Sequence, residues 1–169
     1  MPEPPVNYKT SFPPISNSET EILILGTLPG DRSLEMGEYF AHPRNRFWKI
    51  IAAITNNPLP EDYLQKRDLL YNTKIGVWNV LHKAHRKGSL DSAIQNEVPN
   101  DISRFIRKHT KLKVIAFDGL KAEALFDKHF TRRSDIKYIL LPACSPANAR
   151  FNLIALCDRW KEILLSLED

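Results

Sequence analysis

Along this chain, short apolar runs that stop at glycine or proline alternate with longer stretches in which apolar residues recur every three or four positions. The clearest run, Ile22-Leu23-Ile24-Leu25, ends at Gly26 and sits in a segment, about 20–26, that predicts a first strand. It is short, continuous and partly β-branched, the pattern of a strand buried in a sheet. Ile75-Gly76-Val77-Trp78-Asn79-Val80-Leu81, Lys113-Val114-Ile115-Ala116-Phe117 and Tyr138-Ile139-Leu140-Leu141 supply three more strand segments, the last two stopped by Asp118-Gly119 and by Pro142. Helical spacing appears over 45–56, with Phe47, Trp48, Ile50, Ile51 and Ile54 on one side and Asn56-Asn57-Pro58 as the stop. Further helices are predicted over 61–72, with Tyr63, Leu64 and Leu70 apolar, and from Pro99-Asn100-Asp101 to about His109. Two more occupy 121–129 and 151–167, and residues 83–91 read as a basic loop.

Strands alternating with helices imply parallel pairing through right-handed crossovers. The predicted fold class is α/β: a three-layer α/β/α sandwich with a central, mainly parallel four-stranded sheet. Pro2, Pro4, Pro5, Pro13 and Pro14 exclude regular helix from residues 1–18, which are expected to wrap the surface or fray. Residues 19–169 are then expected to form a single domain, without internal repeat or low-complexity tract.

Composition narrows the classes. Hydrophobic residues make up 43% and charged residues 26%, ordinary for a globular protein. The net charge of +4 is a mild basic bias, compatible with a polyanionic partner but insufficient to argue for one. Two cysteines, Cys144 and Cys157, have neither CxxC spacing nor a histidine cluster beside them, so they predict no disulfide framework and no metal site. No apolar segment approaches bilayer-spanning length, and no secretory signal is visible. These features set the expectation of a cytoplasmic protein with no membrane partner.

Candidate chemistry gathers in the loops after the strands. In a parallel sheet the strand C-termini share one edge, where ligands bind, so Gly26–Gly30, Asp118-Gly119 and residues 142–150 should converge. Gly26 and Gly30 let backbone approach a ligand, although a plain tight turn explains them equally. Phe40, beside His42, is either a core aromatic or a platform for a planar ligand. Asn45 precedes an apolar helix, where capping is the simplest role; its amide also offers a donor and an acceptor. Ser145-Pro146-Ala147-Asn148 is a rigid, small, polar loop before a helix. Arg86 and Lys87 suit phosphates or a solvated turn, and Asp91 suits a cap.

Several of these segments, in order, resemble one family. Tyr39-Phe40-Ala41-His42-Pro43-Arg44-Asn45-Arg46-Phe47-Trp48 resembles a segment of the uracil-DNA glycosylase superfamily. Arg86-Lys87-Gly88-Ser89-Leu90-Asp91-Ser92-Ala93-Ile94, Phe117-Asp118-Gly119-Leu120-Lys121-Ala122 and Leu141-Pro142-Ala143-Cys144-Ser145-Pro146-Ala147-Asn148-Ala149 resemble its hypoxanthine-DNA (deoxyinosine) branch. The resemblance spans about residues 20–165. Mismatch-specific uracil enzymes of the superfamily carry a water-positioning asparagine in the first loop; here that position is Leu28. In the deoxyinosine branch the asparagine of the His-Pro-x-Asn segment is implicated instead, which is Asn45. Other departures are Asn79 where the family often has Asp, Asp118 where it often has Asn, and Ala143-Cys144 where Ser-Thr is common.

The resemblance implies a monofunctional DNA glycosylase of base excision repair that hydrolyses the N-glycosidic bond of a flipped deaminated base, foremost hypoxanthine. It implies Asn45 as the catalytic residue, with Gly26, Thr27, Leu28, Pro29, Gly30, Phe40 and His42 around the base. Arg86, Lys87, Ser89, Ser145, Pro146, Ala147, Asn148 and Arg150 are implied at the DNA, the 145–148 loop as a wedge. It implies no metal or organic cofactor, and a monomer whose partner is DNA containing a deaminated base. Alternatives are a uracil or broad deaminated-base glycosylase, which Leu28 disfavours, and a non-catalytic module that binds damaged DNA. A generic nucleotide site lacks G-x-G-x-x-G or P-loop glycines, and a Cys144 or Ser145 nucleophile with His42 or His85 lacks the G-x-S-x-G setting.

Overall fold

The computed structural model describes residues 8–168. Among these described residues seven strands occur: β1 Lys9–Thr10, β2 Ile22–Gly26, β3 Ile75–Asn79, β4 Leu81–His85, β5 Gln95–Pro99, β6 Val114–Asp118 and β7 Lys137–Leu141. The α-helices are α1 Asp31–Met36, α2 Phe47–Ile54, α3 Tyr63–Thr73, α4 Ile102–Lys108, α5 Leu120–His129, α6 Leu153–Trp160 and α7 Glu162–Leu165.

The main sheet has the order β3-β2-β6-β7, and every pair in it is parallel. Its centre is β2, whose five residues are all buried because helices cover both faces. Alternation divides that burial. Ile22 and Ile24 join Phe47, Ile50, Ile51, Leu156 and Trp160 in one core, while Leu23 and Leu25 join Ile102, Phe105, Leu125 and Phe126 in the other. Three layers follow, with α2, α6 and α7 on one side of the sheet and α4 and α5 on the opposite side.

Some expectations are corrected. Residues 83–91 are not all loop: β4 pairs antiparallel with β1 and β5 in a second, three-stranded sheet. The N-terminal segment does more than wrap the surface, since Lys9–Thr10 forms a strand and Ile15, 3% exposed, bridges Val77. The domain therefore extends N-terminal to residue 19; Pro2, Pro4 and Pro5 lie outside the described residues. In α3 it is Leu69 and Leu70 that are buried, whereas Leu64 faces solvent. The predicted helix over 151–167 is divided at Lys161 into α6 and α7. Helix α1, read as loop, starts at Asp31 and ends where Gly37 takes the left-handed conformation at φ 67°.

Candidate active site

The carboxyl ends of the parallel strands open into a cleft of about 460 Å³, within the usual range for small-molecule sites, roughly 300–1,000 Å³. Residues 26–30, Phe40, His42, Asn45, Ser89 and 145–148 all line it. Arg86, Lys87 and Arg150 do not. Three positions that depart from the family's usual residues, Asn79, Asp118 and Ala143, form part of the wall, together with Asp91.

Asn45 serves as a cap and as a cleft residue at once. Its Oδ1 accepts the Phe47 backbone N–H at 2.9 Å, satisfying one of the donors left free at the start of α2. Only a carbonyl oxygen can accept that bond, so the orientation of the amide is determined, with Nδ2 on the side away from the helix. Oδ1 keeps a second lone pair, so the side chain can still hold a water.

Phe40 stacks on Phe47, with ring centroids 4.0 Å apart and an interplanar angle of 17°. One face of the ring is thus covered, and the other is the face that it can offer the cleft. Its backbone lies at φ 53°, a conformation that costs a non-glycine residue about 1–3 kcal/mol and clusters at functional sites. His42 Nδ1 accepts the Arg44 N–H at 3.1 Å, so Nε2 carries the proton of the neutral ring.

The five carbonyls of the first loop are all engaged by the protein. Those of Gly26 and Thr27 accept from Val80 and Leu81, and that of Gly30 from Leu34. Arg86 takes the other two, donating to Pro29 at 2.6 Å and to Leu28 at 3.4 Å. The N–H groups of Leu28 and Gly30 have no protein acceptor among the described residues. The loop therefore presents donors rather than acceptors.

Arg86 was expected at a phosphate, and its placement corrects that. Its side chain is 1% exposed, with Nε bound to the Gly88 carbonyl at 2.8 Å and Asp31 at 3.9 Å. Burial pulls its pKa down while Asp31 and Asp91 pull it back up. A guanidinium so enclosed braces two loops and cannot reach DNA. Arg46 does the same on the opposite side of the cleft. It donates to the carbonyls of Ser145 at 2.7 Å, Asn148 at 3.0 Å, Cys144 at 3.4 Å, and Phe151. Sequence reasoning missed this role, for a cation inside a motif reads as a ligand contact. The one available signal was its place in the helix-start segment, where loop carbonyls need donors. Lys87 and Arg150 are exposed.

At the back of the cleft, Asp118 ends β6. Its Oδ1 accepts the Cys144 N–H at 2.9 Å and its Oδ2 the Cys144 thiol at 3.3 Å. Burial, helped by the charge of Asp91, pushes its pKa up to about 6 against those two hydrogen bonds. Burial and Asp118 also raise the Cys144 thiol well above its ordinary value, against a hydrogen bond with Asn45; the side chain is fully buried and does not line the cleft, so it is not placed to attack a ligand there. His85 packs against Tyr8, with ring centroids 4.1 Å apart and the planes tilted by 44°, and does not line the cleft. Asn79, 6% exposed, packs against Gly26, where a Cβ would lie 3.1 Å from its Nδ2, and its Oδ1 is buried without a partner. Gly119, at φ 94°, lets the Asp118 loop pass Ala143, whose Cβ a side chain there would meet at 3.2 Å. Asp91 closes the ring by accepting the Thr27 hydroxyl at 2.7 Å. No group of three His, Cys, Asp or Glu side chains among the described residues could hold a metal ion, and no helix there is long and apolar enough to cross a membrane.

A parallel α/β sheet with an aromatic, amide-lined cleft at its carboxyl edge has the shape and lining of a site for a small planar polar ligand. The chain belongs to the uracil DNA glycosylase superfamily, whose family model matches residues 13–167. It is 37% identical over 145 residues to a hypoxanthine DNA glycosylase of Methanosarcina acetivorans, covering 85% of this chain and 90% of that one. It is 37% identical over 115 residues to a hypoxanthine DNA glycosylase of Methanosarcina barkeri, covering 68% and 73%. The fold matches the solution NMR structure of a candidate uracil DNA glycosylase from Methanosarcina acetivorans with a TM-score of 0.77 and 32% identity, over 94% of this chain and 99% of that chain.

Proposed function

We propose that this chain is a monofunctional DNA glycosylase that releases hypoxanthine from deoxyinosine. The observation that carries the proposal is the pairing, in one cleft, of Phe40, stacked on Phe47, and Asn45, whose amide is held in one orientation by the Phe47 N–H. The 37% identity to two hypoxanthine DNA glycosylases supports the choice of base.

Extracting a base from the duplex costs a few kcal/mol, recovered by stacking and by contacts to its polar edge. Phe40 stacks on the extruded purine. The free N–H groups of Leu28 and Gly30 lie in the loop best able to donate to O6, and they stabilise the negative charge that grows on the departing base. The acceptors in the wall, Asp118 and Asn79, suit the N1–H that hypoxanthine has and adenine lacks. Adenine would also turn an amino group toward donors, so the same wall rejects it.

As the glycosidic bond breaks, the sugar gains oxocarbenium character. Asn45 Oδ1 holds the attacking water through its second lone pair, and Nδ2 can donate to the substrate. Its contribution is orientation, which an effectively intramolecular reaction rewards heavily. Leu28 is 6% exposed and belongs to the second core; a side chain of that kind cannot hold water. Lys87 and Arg150 contact phosphates, and DNA carrying the deaminated base is the partner of a monomeric enzyme.

The test uses labelled duplexes with a single inosine, xanthine or uracil, incubated with the protein and then cleaved with alkali at abasic sites. Strand breaks dominated by inosine are expected. Breaks dominated by uracil would favour the mismatch-type reading, and binding without breaks would favour a non-catalytic damage sensor.

A further inference from the structure

Leu90 is 63% exposed and yet lines the mouth of the cleft. Among the described residues no other large exposed apolar side chain does both. A single exposed leucine is unremarkable by itself, so its setting has to carry the argument. Leu90 lies between two anchored neighbours. The Ser89 hydroxyl accepts the Asp31 N–H at 3.0 Å, and Asp91 accepts the Thr27 hydroxyl at 2.7 Å. One residue earlier, the Gly88 carbonyl takes bonds from Arg86 and Lys9. Leu90 itself is extended, at φ −78° and ψ 131°, and its carbonyl accepts from Ala93.

The backbone is thus rigid where the side chain is free, which is what an element that presses into a stack of bases requires. Across the mouth, the 145–148 loop was expected to supply the wedge. Its exposed residue is Ala147, a single methyl group, while its Asn148 amide is bound to the Ala143 carbonyl at 2.9 Å. That loop is braced, and its one apolar ring, Pro146, is half-buried in the cleft wall. Proteins that open a base step do so with bulky apolar side chains.

We propose that Leu90 enters the duplex and fills the space vacated by the flipped nucleotide, a positioning role that rests on the cleft being a base-excision site. Lys87, three residues before it and exposed, places a cation beside the neighbouring phosphate.

The experiment compares single-turnover hypoxanthine release from one inosine-containing strand, alone and in a duplex, by the wild type, Leu90→Ala and Leu90→Met. Leu90→Ala is expected to lose about tenfold or more on the duplex and less than about twofold on the single strand, because only the duplex demands unstacking. Leu90→Met should regain most of the loss, and the melting temperature should not move. Equal losses on both substrates, or none on either, would overturn the wedge. A second measurement needs no turnover: 2-aminopurine beside the inosine should brighten when the wild type binds and stay dim with Leu90→Ala. If the wild type releases no hypoxanthine, the excision reading fails; if both proteins brighten the probe alike, the wedge fails.

Discussion

Asp118 accepts both the backbone N–H and the thiol hydrogen of Cys144, so the loops after β6 and β7 meet at one carboxylate. That carboxylate is costly to keep charged. Its pKa rises from an ordinary 3.8 to about 6 in the folded chain. Between those values the native state holds a proton that the unfolded chain has released, so stability falls as pH rises from about 4 to about 6. A gap of about two units corresponds to ~2.7 kcal/mol. Asp118→Asn keeps an acceptor for the Cys144 N–H and cannot ionise. Urea unfolding at pH 4 and pH 7 should therefore show near-equal stability at pH 4 and a more stable variant at pH 7. A variant less stable than the wild type at pH 7 would refute this account of the carboxylate.

Arg46 and Arg86 brace the two sides of the cleft, and a bracing arginine depends on the geometry of its fork as much as on its charge. Arg46→Lys retains the cation but cannot reach four carbonyls in three directions. We expect a loss of about 2 kcal/mol, equivalent to a melting temperature lower by roughly 4–8 °C, with glycosylase activity reduced further because residues 145–148 loosen. Calorimetry on the variant checks this; an unchanged melting temperature would mean that the loop holds its shape without Arg46.

The exposed and buried cations should separate in their salt dependence. Each phosphate contact removed lowers the slope of log K against log salt by about 1. Lys87→Ala and Arg150→Ala are expected to show that change. Arg86→Lys is expected to keep the wild-type slope while losing stability, because its guanidinium never meets solvent. Fluorescence anisotropy over a salt series distinguishes the two classes, and a lowered slope for Arg86→Lys would contradict the bracing role.

The main sheet was legible because β2 and β6 are buried on both faces and read as near-unbroken apolar runs, while the edge strand β7, although half-buried on one face, still carries the apolar run Tyr138-Ile139-Leu140-Leu141 before Pro142. The second sheet was not. Its strand β4 carries His82, Lys83 and His85, and register shifts on either side of Lys83 break the two-residue alternation. Its partner β1 lies in a proline-rich segment whose strand character comes from the pairing itself. At the site, glycines, Phe40 and Asn45 drew attention because their types are uneconomical in a core. Arg86 was misjudged, and Arg46 passed over, for the same reason that makes them useful. A sequence shows that a cation is present but not which carbonyls converge on it. Leu90 was hidden likewise, since a leucine in a polar loop looks like a stray core residue until its exposure is known.

The direct measurement of the central claim is single-turnover release of hypoxanthine from an inosine duplex by the wild type and by Asn45→Ala, with DNA affinity measured in parallel. Loss of the Phe47 cap should cost about 1 kcal/mol of stability, small enough to leave the fold intact. The account predicts that Asn45→Ala binds the duplex nearly as well as the wild type and releases hypoxanthine at least about a hundredfold more slowly. Release by Asn45→Ala at close to the wild-type rate would contradict it.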